Sequence, residues 1–367
     1  MVDTGLFNNA YRDKKVLLTG HTGFKGSWLA YWLHELGADV TGLSLDIPTS
    51  PNHFDLLQPS ISSLTGDIRD FEIVEEVFKK SQPDIVFHLA AQSLVRNSYQ
   101  YPLKTFDTNI MGTAHMFEAA RICKSVKAIL NITSDKCYEN LETDVAYKET
   151  DRMGGYDPYS ASKGCAELIV NSYRNSFFND NDYKSTHHIL LASARAGNVI
   201  GGGDWADDRL IPDIVKASEK DEPVKIRSPK STRPWQHVLE PLSGYLLLGS
   251  KLLQEEKEIA DGWNFGPKNN EALTVEEVLN KMKVVWGNLK YEINSDPHQL
   301  HEASLLRLDC SKANKQLNWF PVWDMNTAIE KTANWYKAFY DNGYLRTKED
   351  LHSYIEDARS QQIEWAL

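Results

Sequence analysis

Cysteine is scarce in this sequence, and its cysteines stand far apart. The 367 residues contain four, with no C-x-x-C pair among them: Cys123, Cys137, Cys165 and Cys310. A disulfide framework of the kind that stabilises small secreted domains is therefore not expected. Three of the four lie in apolar surroundings, where free buried thiols are common. This usage predicts a reducing compartment, and the cytoplasm is the default expectation.

Long apolar runs and basic stretches are missing as well. No window reaches about 18 consecutive apolar residues, and the N-terminal residues have no signal-peptide core. Acidic residues outnumber basic ones by 51 to 40, which gives a formal net charge of −11. We therefore expect neither nucleic acid nor a membrane as a partner. An anionic small molecule would have to be bound locally, by a few arginines or by helix N-termini.

Short apolar segments alternate with longer amphipathic ones from Lys14 to about Ala194. Five apolar segments rich in Val, Ile and Leu predict buried strands: KVLLTG, DVTGLSL, DIVFHLAA, KAILNITS and HILLASA. The stretches between them have helical spacing, so the chain is expected to form repeated strand–helix–strand units. The predicted class is α/β, with a Rossmann-type doubly wound parallel sheet covered by helices on both faces.

The alternation loosens in the second half of the chain, and this change predicts a smaller C-terminal lobe. We expect the sheet domain to comprise residues 12–195, with a segment near 236–262 returning to it. The smaller lobe is expected to combine residues 196–235 and 263–345. Residues 346–367 are predicted to form a peripheral C-terminal helix.

A glycine array follows the first predicted strand. Gly20, Gly23 and Gly26 form G-x-x-G-x-x-G between a strand and an amphipathic helix, where glycines let a pyrophosphate approach the helix N-terminus. Asp46 ends the second strand, 26 residues past Gly20 (46 − 20). An acid there prefers the free 2′-hydroxyl of NAD, and Asp67 after the next strand could reach the adenine. The array predicts dinucleotide binding, although both acids would also serve as strand-end caps.

Tyr159 and Lys163 lie four residues apart in YSASK, just after the helix-start signal Asp157–Pro158. This spacing places the phenol and the ammonium on one helix face. A nearby cation lowers the pKa of a tyrosine from about 10 toward neutrality, so that it can take a proton from an alcohol. Ser134 ends the strand KAILNITS 25 residues upstream (159 − 134). Together these residues predict a redox site; an incidental surface pair is the competing interpretation.

The motif T-G-x-x-G-x-x-G, the Tyr159-x-x-x-Lys163 pair and the preceding serine resemble the extended short-chain dehydrogenase/reductase family over nearly the whole chain. The resemblance implies that Ser134 binds the substrate hydroxyl, Tyr159 is the base and Lys163 holds the nicotinamide ribose of NAD. It also implies a nucleotide-sugar in the smaller lobe, and a homodimer or homotetramer formed through the Tyr159–Lys163 helix and the helix before it. Further implied cofactor contacts are Thr22, Phe24, Ile68, Ala90, Ala91 and Thr108.

The triplet Ser134-Asp135-Lys136 resembles the nucleotide-diphosphohexose 4,6-dehydratases, and with GGGDW and RPWQHVLEPLSGY it is similar to their CDP-linked branch. The resemblance implies a hydro-lyase acting on CDP-D-glucose in a pathway to deoxy sugars of surface polysaccharide, such as lipopolysaccharide O-antigen. C4 would be oxidised, water eliminated across C5 and C6, and hydride returned to C6, so that tightly bound or recycled NAD is not consumed. Asp135 would protonate the leaving C6 hydroxyl. Lys136 would assist at C5, either as a neutral base or as a cation stabilising the enolate.

Five further residues are candidates for binding the substrate. Asn198, Arg209 and Arg233 align with family positions that hold the diphosphate and nucleoside, and a guanidinium suits phosphate geometry. Arg96 is expected in the hexose pocket. Trp235 would either pack near the base or fill the core of the lobe.

Two other functions remain open. One is a different nucleotide-sugar enzyme, either an epimerase or a dehydratase for another nucleotide, and the other is a non-catalytic NAD-binding regulator. Asp135 and Lys136 argue against an epimerase, and the intact Ser–Tyr–Lys set argues against a regulator. A metal site is not expected, because His298 and His301 form H-x-x-H without a third ligand at metal spacing.

Overall fold

The computed structural model of the chain describes residues 5–142, 145–226, 229–268, 272–287, 289–293 and 306–367. The strands in these ranges are, in chain order, β1 (Lys15–Thr19), β2 (Asp39–Ser44), β3 (Ser62–Thr65), β4 (Ile85–His88), β5 (Ala128–Ile132), β6 (Leu190–Ala196), β7 (Val199–Ile200), β8 (Val224–Ile226), β9 (Thr232–Arg233), β10 (Gln236–His237), β11 (Gly262–Phe265), β12 (Leu273–Thr274) and β13 (Tyr291–Ile293). Seven of them form one sheet in the order β11-β6-β5-β4-β1-β2-β3, and all neighbouring pairs are parallel.

Helices connect the strands and complete the C-terminal half. The α-helices are α1 (Phe24–Glu35), α2 (His53–Leu57), α3 (Phe71–Ser81), α4 (Val95–Gln100), α5 (Pro102–Phe106), α6 (Gly112–Ile122), α7 (Pro158–Ser176), α8 (Leu210–Glu219), α9 (Leu239–Leu253), α10 (Val275–Trp286), α11 (Ser311–Gln316), α12 (Met325–Asn342) and α13 (Thr347–Ser360). A π-helical segment, Asp107–Met111, joins α5 to α6. Short 3-10 turns lie at Leu6–Asn9, Asp135–Cys137, Lys257–Ile259 and Glu364–Ala366. Within the described ranges, no helix combines the length and apolarity that a membrane span requires.

Successive strand residues face two separate cores, as expected of a sheet covered on both sides. In β1, Val16 and Leu18 pack into a core that also contains Trp28 of α1 and residues of α9. Leu17, between them, packs on the opposite face with residues of α3, α6 and α7, including Phe117. The prediction of a doubly wound parallel sheet is confirmed: four of the five apolar segments contain one of its strands, and HILLASA overlaps β6.

Two sheet strands lie outside the five apolar segments. Strand β3, with the sequence SSLT, lies at the sheet edge and carries no buried residue, so it lacks the apolar run that marks a buried strand. Strand β11 has only four residues, although all four are buried, and it pairs with β6. Part of the C-terminal half therefore returns to the sheet. The proposed division into domain and lobe stays a prediction.

The C-terminal residues pack against the N-terminal segment. Trp365 stacks on Phe7 with ring centroids 5.0 Å apart, and it also contacts Trp32 of α1. Tyr354 of α13 is fully buried, and its hydroxyl donates to Glu240 Oε2 over 2.8 Å. These contacts place the side chains at both ends of the described chain in the core beside α1.

Asp350 of α13 carries a buried carboxyl group, and we expect its replacement to stabilise the protein. Neither oxygen accepts a hydrogen bond from any described residue, Arg346 Nε lies 3.8 Å away, and burial raises the Asp350 pKa to about 7. Because the unfolded value is about 4, stability is lost as pH rises from about 4 to about 7. Asp350→Asn should therefore raise the free energy of unfolding at pH 8 by on the order of 3 kcal/mol.

Thermal and urea unfolding at pH 8 and pH 4.5 check this expectation. Most of the gain should disappear at the lower pH, where the native carboxyl group is protonated. Glu356→Gln, an exposed substitution on the same helix, is the control and should change stability little at either pH. An equal effect of Asp350→Asn at both pH values would contradict the prediction.

Candidate active site

A cavity of about 910 Å³ opens at the carboxyl ends of the sheet strands. Ligands of doubly wound proteins bind at this edge, and the volume lies at the upper end of the usual range for small-molecule sites. Every residue assigned to the site from the sequence lines this cavity. These residues are Gly20, Thr22, Gly23, Phe24, Gly26, Asp46, Asp67, Ile68, Ala90, Ala91, Arg96, Thr108, Ser134, Asp135, Lys136, Tyr159, Lys163, Asn198, Arg209, Arg233 and Trp235. Their individual roles stay predictions.

The glycine array forms a narrow turn between β1 and α1. Gly20 has a φ of +78°, and a Cβ atom on Gly26 would lie 2.0 Å from the Gly20 carbonyl oxygen. Helix α1 begins after Gly23, which has an extended backbone and provides no side-chain cap. The first N–H groups of the helix therefore have no side-chain acceptor at the cap, which suits a phosphate. The cradle fits the diphosphate of a dinucleotide.

The two predicted adenosine residues differ in their surroundings. Asp46 is exposed where β2 ends. Asp67 is engaged by Arg69, whose Nε donates to the two carboxylate oxygens over 3.1 and 2.9 Å. This hydrogen bonding lowers the pKa of Asp67 and keeps it ionised. If Asp67 contacted the adenine, its carboxylate would bind the adenine and Arg69 at the same time.

The helix that carries the proposed base begins as predicted. Asp157 caps α7 by accepting from the backbone N of Ser160 over 2.9 Å, and Pro158 is its first residue. Tyr159 and Lys163 are 7% and 6% exposed, so they are not a surface pair. Lys163 Nζ donates to the carbonyl oxygen of Ile132, the last residue of β5, over 3.3 Å. The ammonium is thus fixed at the strand end from which Ser134 follows.

The expected lowering of the Tyr159 pKa is wrong for this structure. Burial raises the pKa of Tyr159 to about 12, and a hydrogen bond with Ser134 and the charge of Arg209 offset only part of this effect. Burial also lowers the pKa of Lys163 to about 8. Desolvation disfavours the charged form of both groups, and helical spacing alone does not reveal it.

The triplet Ser134-Asp135-Lys136 forms a 3-10 turn directly after β5. Ser134 caps this turn, accepting from the backbone N of Lys136 over 3.3 Å, and its Oγ donates to Asp135 Oδ1 over 2.8 Å. Asp135 is only 4% exposed. A Cβ on Gly197 would lie 3.2 Å from the other Asp135 oxygen, so glycine leaves space beside the carboxylate. The two charges are therefore part of the cavity wall rather than a solvated surface turn.

Two of the predicted substrate arginines are already paired with carboxylates. Arg209 Nη1 donates to Asp204 Oδ2 over 2.8 Å, and Asp204 raises the Arg209 pKa. Arg96 Nη1 lies 3.4 Å from Asp208 Oδ1. Trp235 lines the cavity and also belongs to the apolar core, which is consistent with both interpretations of it.

Lys25, an intervening residue of the glycine array, was missed from the sequence. It lines the cavity, its Nζ donates to the Tyr245 hydroxyl over 3.4 Å, and burial lowers its pKa to about 8. The charges of Arg209, Asp135 and Lys163 also act on it. The lysine directly before the third glycine of the array was the available signal.

The histidines do not change this description of the site. Among the described residues, no group of three or more His, Cys, Asp or Glu side chains could hold a metal ion. His298 and His301 lie outside the described residues.

The parallel sheet, the glycine cradle and the buried Ser134–Tyr159–Lys163 set define an extended short-chain dehydrogenase/reductase fold and site. The family model described as GDP-mannose 4,6 dehydratase matches residues 17–332, and the chain belongs to this family. The CDP-glucose 4,6-dehydratase of Salmonella typhimurium is 49% identical over 351 residues, which cover 95% of this chain and 98% of that protein. The dTDP-glucose 4,6-dehydratase of Haemophilus influenzae is 25% identical, with coverages of 88% and 97%.

Solved structures show the same fold. An epimerase from Methanothermobacter thermautotrophicus is similar with a TM-score of 0.76 and 25% identity, covering 91% of this chain and 95% of its own. The dTDP-glucose 4,6-dehydratase of Bacillus anthracis, solved in complex with NAD, has a TM-score of 0.73 and 20% identity, with coverages of 89% and 97%. These likenesses confirm the predicted fold class.

Proposed function

We propose that this protein is an NAD-dependent hydro-lyase that converts CDP-D-glucose to CDP-4-keto-6-deoxy-D-glucose. The observation that carries the proposal is the buried Asp135 between Ser134 and Lys136, in one cavity with Tyr159 and Lys163. An epimerase requires a base and a cation but no acid for a departing hydroxyl. The 49% identity to a CDP-glucose 4,6-dehydratase over 95% of the chain supports the same reaction and the same nucleotide.

The cavity has the features that NAD requires. The diphosphate would rest on the cradle of Gly20 and Gly26 at the N-terminus of α1, and Asp46 would accept from the ribose. Lys163 would hold the second ribose at the other end. When bound, NAD supplies a reversible oxidant for the sugar, so that no net cofactor is consumed.

Tyr159 removes the proton of the C4 hydroxyl, which Ser134 positions by a hydrogen bond. The pKa of about 12 means that the phenol is protonated at neutral pH, so its deprotonation depends on the cations beside it. Arg209 already lowers the Tyr159 pKa, and the ammonium of Lys163 lies one helical turn away. Burial of Tyr159 and Lys163 strengthens both interactions.

Asp135 protonates the C6 hydroxyl as it leaves, once the C4 ketone has made the C5 proton acidic. Its burial limits competition from water, and the Ser134 hydroxyl fixes its orientation. Lys136, in the same turn, acts at C5 in one of two ways. As a neutral amine it takes the C5 proton while protonated Asp135 gives its own. As a cation it stabilises the enolate while the Asp135 carboxylate takes the C5 proton and passes it to the leaving hydroxyl. Lys136→Arg keeps the charge without a neutral amine, and so separates the two roles.

The nucleotide part of the substrate is assigned to the opposite wall of the cavity. Arg209 and Arg233 bind the diphosphate and nucleoside together with Asn198, while Arg96 contacts the hexose. Guanidinium groups match phosphate oxygens in geometry and charge. They supply locally the positive charge that a chain of net charge −11 lacks overall. We place the product in a pathway to deoxy sugars of surface polysaccharide, such as lipopolysaccharide O-antigen.

Incubation of the purified protein with CDP-glucose, without added reductant, tests the proposal. Formation of a 4-keto sugar is followed, with UDP-, GDP- and dTDP-glucose as comparators. Turnover of CDP-glucose in preference to the other three supports the proposed reaction and nucleotide. A C4 epimer would indicate an epimerase, and NAD binding without any turnover would indicate a regulator.

We also propose that the protein is a homodimer or homotetramer assembled through α6 and α7. Exposed apolar side chains on and around these helices are the supporting observation: Leu103, Met111, Ile122, Leu168 and Phe177. Exposed apolar side chains that share neighbouring helices are found at protein–protein interfaces.

Leu168→Glu should convert the protein to a monomer, because Leu168 is 58% exposed on α7 and a charge there would be buried in the interface. Size-exclusion chromatography with light scattering measures the change. Val284→Glu, at an 86% exposed position of α10, is the matched control and should leave the oligomer intact. A Leu168→Glu oligomer of unchanged mass would contradict the assignment.

A further inference from the structure

Glu167 continues the series of functional residues along α7. Tyr159, Lys163 and Glu167 follow one another at four-residue intervals, which places them along one face of the helix. Glu167 is 4% exposed and is not part of the cavity wall. Its position one turn behind Lys163 gives it no direct access to a bound ligand.

The Glu167 carboxylate joins three elements of the fold. Thr133 directly precedes Ser134, and its Oγ1 donates to Glu167 Oε1. On the neighbouring strand β6, Ser193 Oγ and Arg195 Nη2 each donate to Oε2 over 2.8 Å. One side chain of α7 therefore holds the end of β5 and the middle of β6. The strand end that it fixes is the one that carries the Ser134-Asp135-Lys136 turn.

Arg195, the ion-pair partner of Glu167, is itself held away from the cavity. Its Nη1 donates to the Tyr138 hydroxyl over 2.7 Å and to the Glu149 carbonyl oxygen over 3.3 Å. Tyr138 in turn donates to Asn264 Oδ1 over 2.8 Å. Burial raises the pKa of Glu167, but the charge of Arg195 and the hydrogen bonds from Arg195, Thr133 and Ser193 lower it below its ordinary value. These partners favour the ionised form of Glu167.

We propose that Glu167 is a positioning residue that keeps Lys163 in its ammonium form and aligns the Ser134 turn with Tyr159. The proposal deepens the dehydratase assignment and rests on it for the role of Lys163. Burial lowers the pKa of the Lys163 ammonium, and Glu167 is the largest influence in the opposite direction. A neutral Lys163 would not support the phenolate of Tyr159.

Other charged and titratable groups interact with Lys163 or line the same cavity. Lys25 of α1, His88 of β4 and Cys137 of the turn interact with it electrostatically, and Asp135, Lys136, Tyr159 and Arg209 line the cavity with it. The charge of Lys163 itself lowers the pKa of both Lys25 and His88. Cys137 contributes to raising the Lys163 pKa, after Glu167.

Competitive labelling of the Lys163 amine with acetic anhydride across pH, read by peptide mass spectrometry, tests the proposal. This measurement needs neither substrate nor turnover. Glu167→Gln, which keeps the shape and removes the charge, should lower the Lys163 titration midpoint by about one pH unit or more. The alkaline limb of kcat/KM for CDP-glucose should move with it. An unchanged Lys163 midpoint in Glu167→Gln would overturn the proposal. A shifted midpoint in the variant, together with no CDP-glucose turnover by the wild-type protein, would count against the dehydratase assignment alone.

Two further variants separate charge from packing. Thr133→Val removes one hydrogen bond and keeps the Glu167 charge, so the midpoint should stay at the wild-type value while kcat falls. Glu167→Gln combined with Arg195→Gln removes both charges of the buried ion pair. If the single variant does not fold, the Lys163 midpoint is measured in this double variant instead. The double variant should fold with the midpoint still lowered. Two results would contradict the proposal: a wild-type Lys163 midpoint in the double variant, or a Thr133→Val midpoint shifted as far as that of Glu167→Gln. Either would show that Glu167 only neutralises Arg195 or only supports the packing.

Discussion

Tyr159→Phe is expected to reduce kcat for 4-keto sugar formation by about 10²–10⁴-fold, the usual contribution of a positioned acid or base. The phenol is the group placed to remove the C4 proton, and it lies buried in the cavity with a hydrogen bond to Ser134. Phenylalanine fills the same space and removes only the hydroxyl. Steady-state kinetics with CDP-glucose would measure the loss, and NAD titration should show that the cofactor site is intact.

Tyr344→Phe is a control for the removal of a tyrosine hydroxyl elsewhere, because Tyr344 is 48% exposed on the connection before α13. It should keep wild-type kinetics. A Tyr159→Phe enzyme with more than about one tenth of wild-type kcat would remove Tyr159 from the role of base.

Asp135→Asn is expected to block the reaction at a later step, with a loss in kcat of about 10²–10⁴-fold. An amide cannot deliver the proton that the departing C6 hydroxyl requires, although it still accepts a hydrogen bond from Ser134. Oxidation at C4 and loss of the C5 proton would continue reversibly. CDP-glucose recovered from heavy water should therefore carry deuterium at C5, as mass spectrometry can detect, while the keto product is missing.

The two variants act as controls for each other. Tyr159→Phe should give neither product nor deuterium, because the C5 proton becomes acidic only after C4 is oxidised. Full product formation by Asp135→Asn would show that another group, such as Lys136, supplies the proton.

The placement of the site could be predicted from the sequence because parallel strands end at the same edge of a sheet. Gly20, Asp46 and Ser134 each follow an apolar strand, so the fold brings them to one cavity without further information. The position of Asp67 implies a strand before it, but apolar patterning does not mark β3, because none of its residues is buried. Apolar patterning detects burial, and an exposed edge strand does not provide it.

The electrostatics of the site could not be predicted, because burial and tertiary partners determine them. The spacing of Tyr159 and Lys163 indicated a lowered tyrosine pKa, whereas desolvation raises it to about 12. The sequence placed Arg209 near a ligand without indicating that Asp204 is its partner. Lys25 was passed over because the motif is recognised by its glycines.

The paired arginines affect how the substrate would enter. Arg209 and Arg96 face Asp204 and Asp208, so carboxylates already compensate the charge of these two arginines before any diphosphate arrives. Binding would then be an exchange of one anion for another rather than the capture of an anion by a bare cation. Such an exchange makes affinity less sensitive to ionic strength, and the displaced carboxylates can return as the product leaves. Asp204 and Asp208 would thereby favour turnover of the substrate over its tight retention.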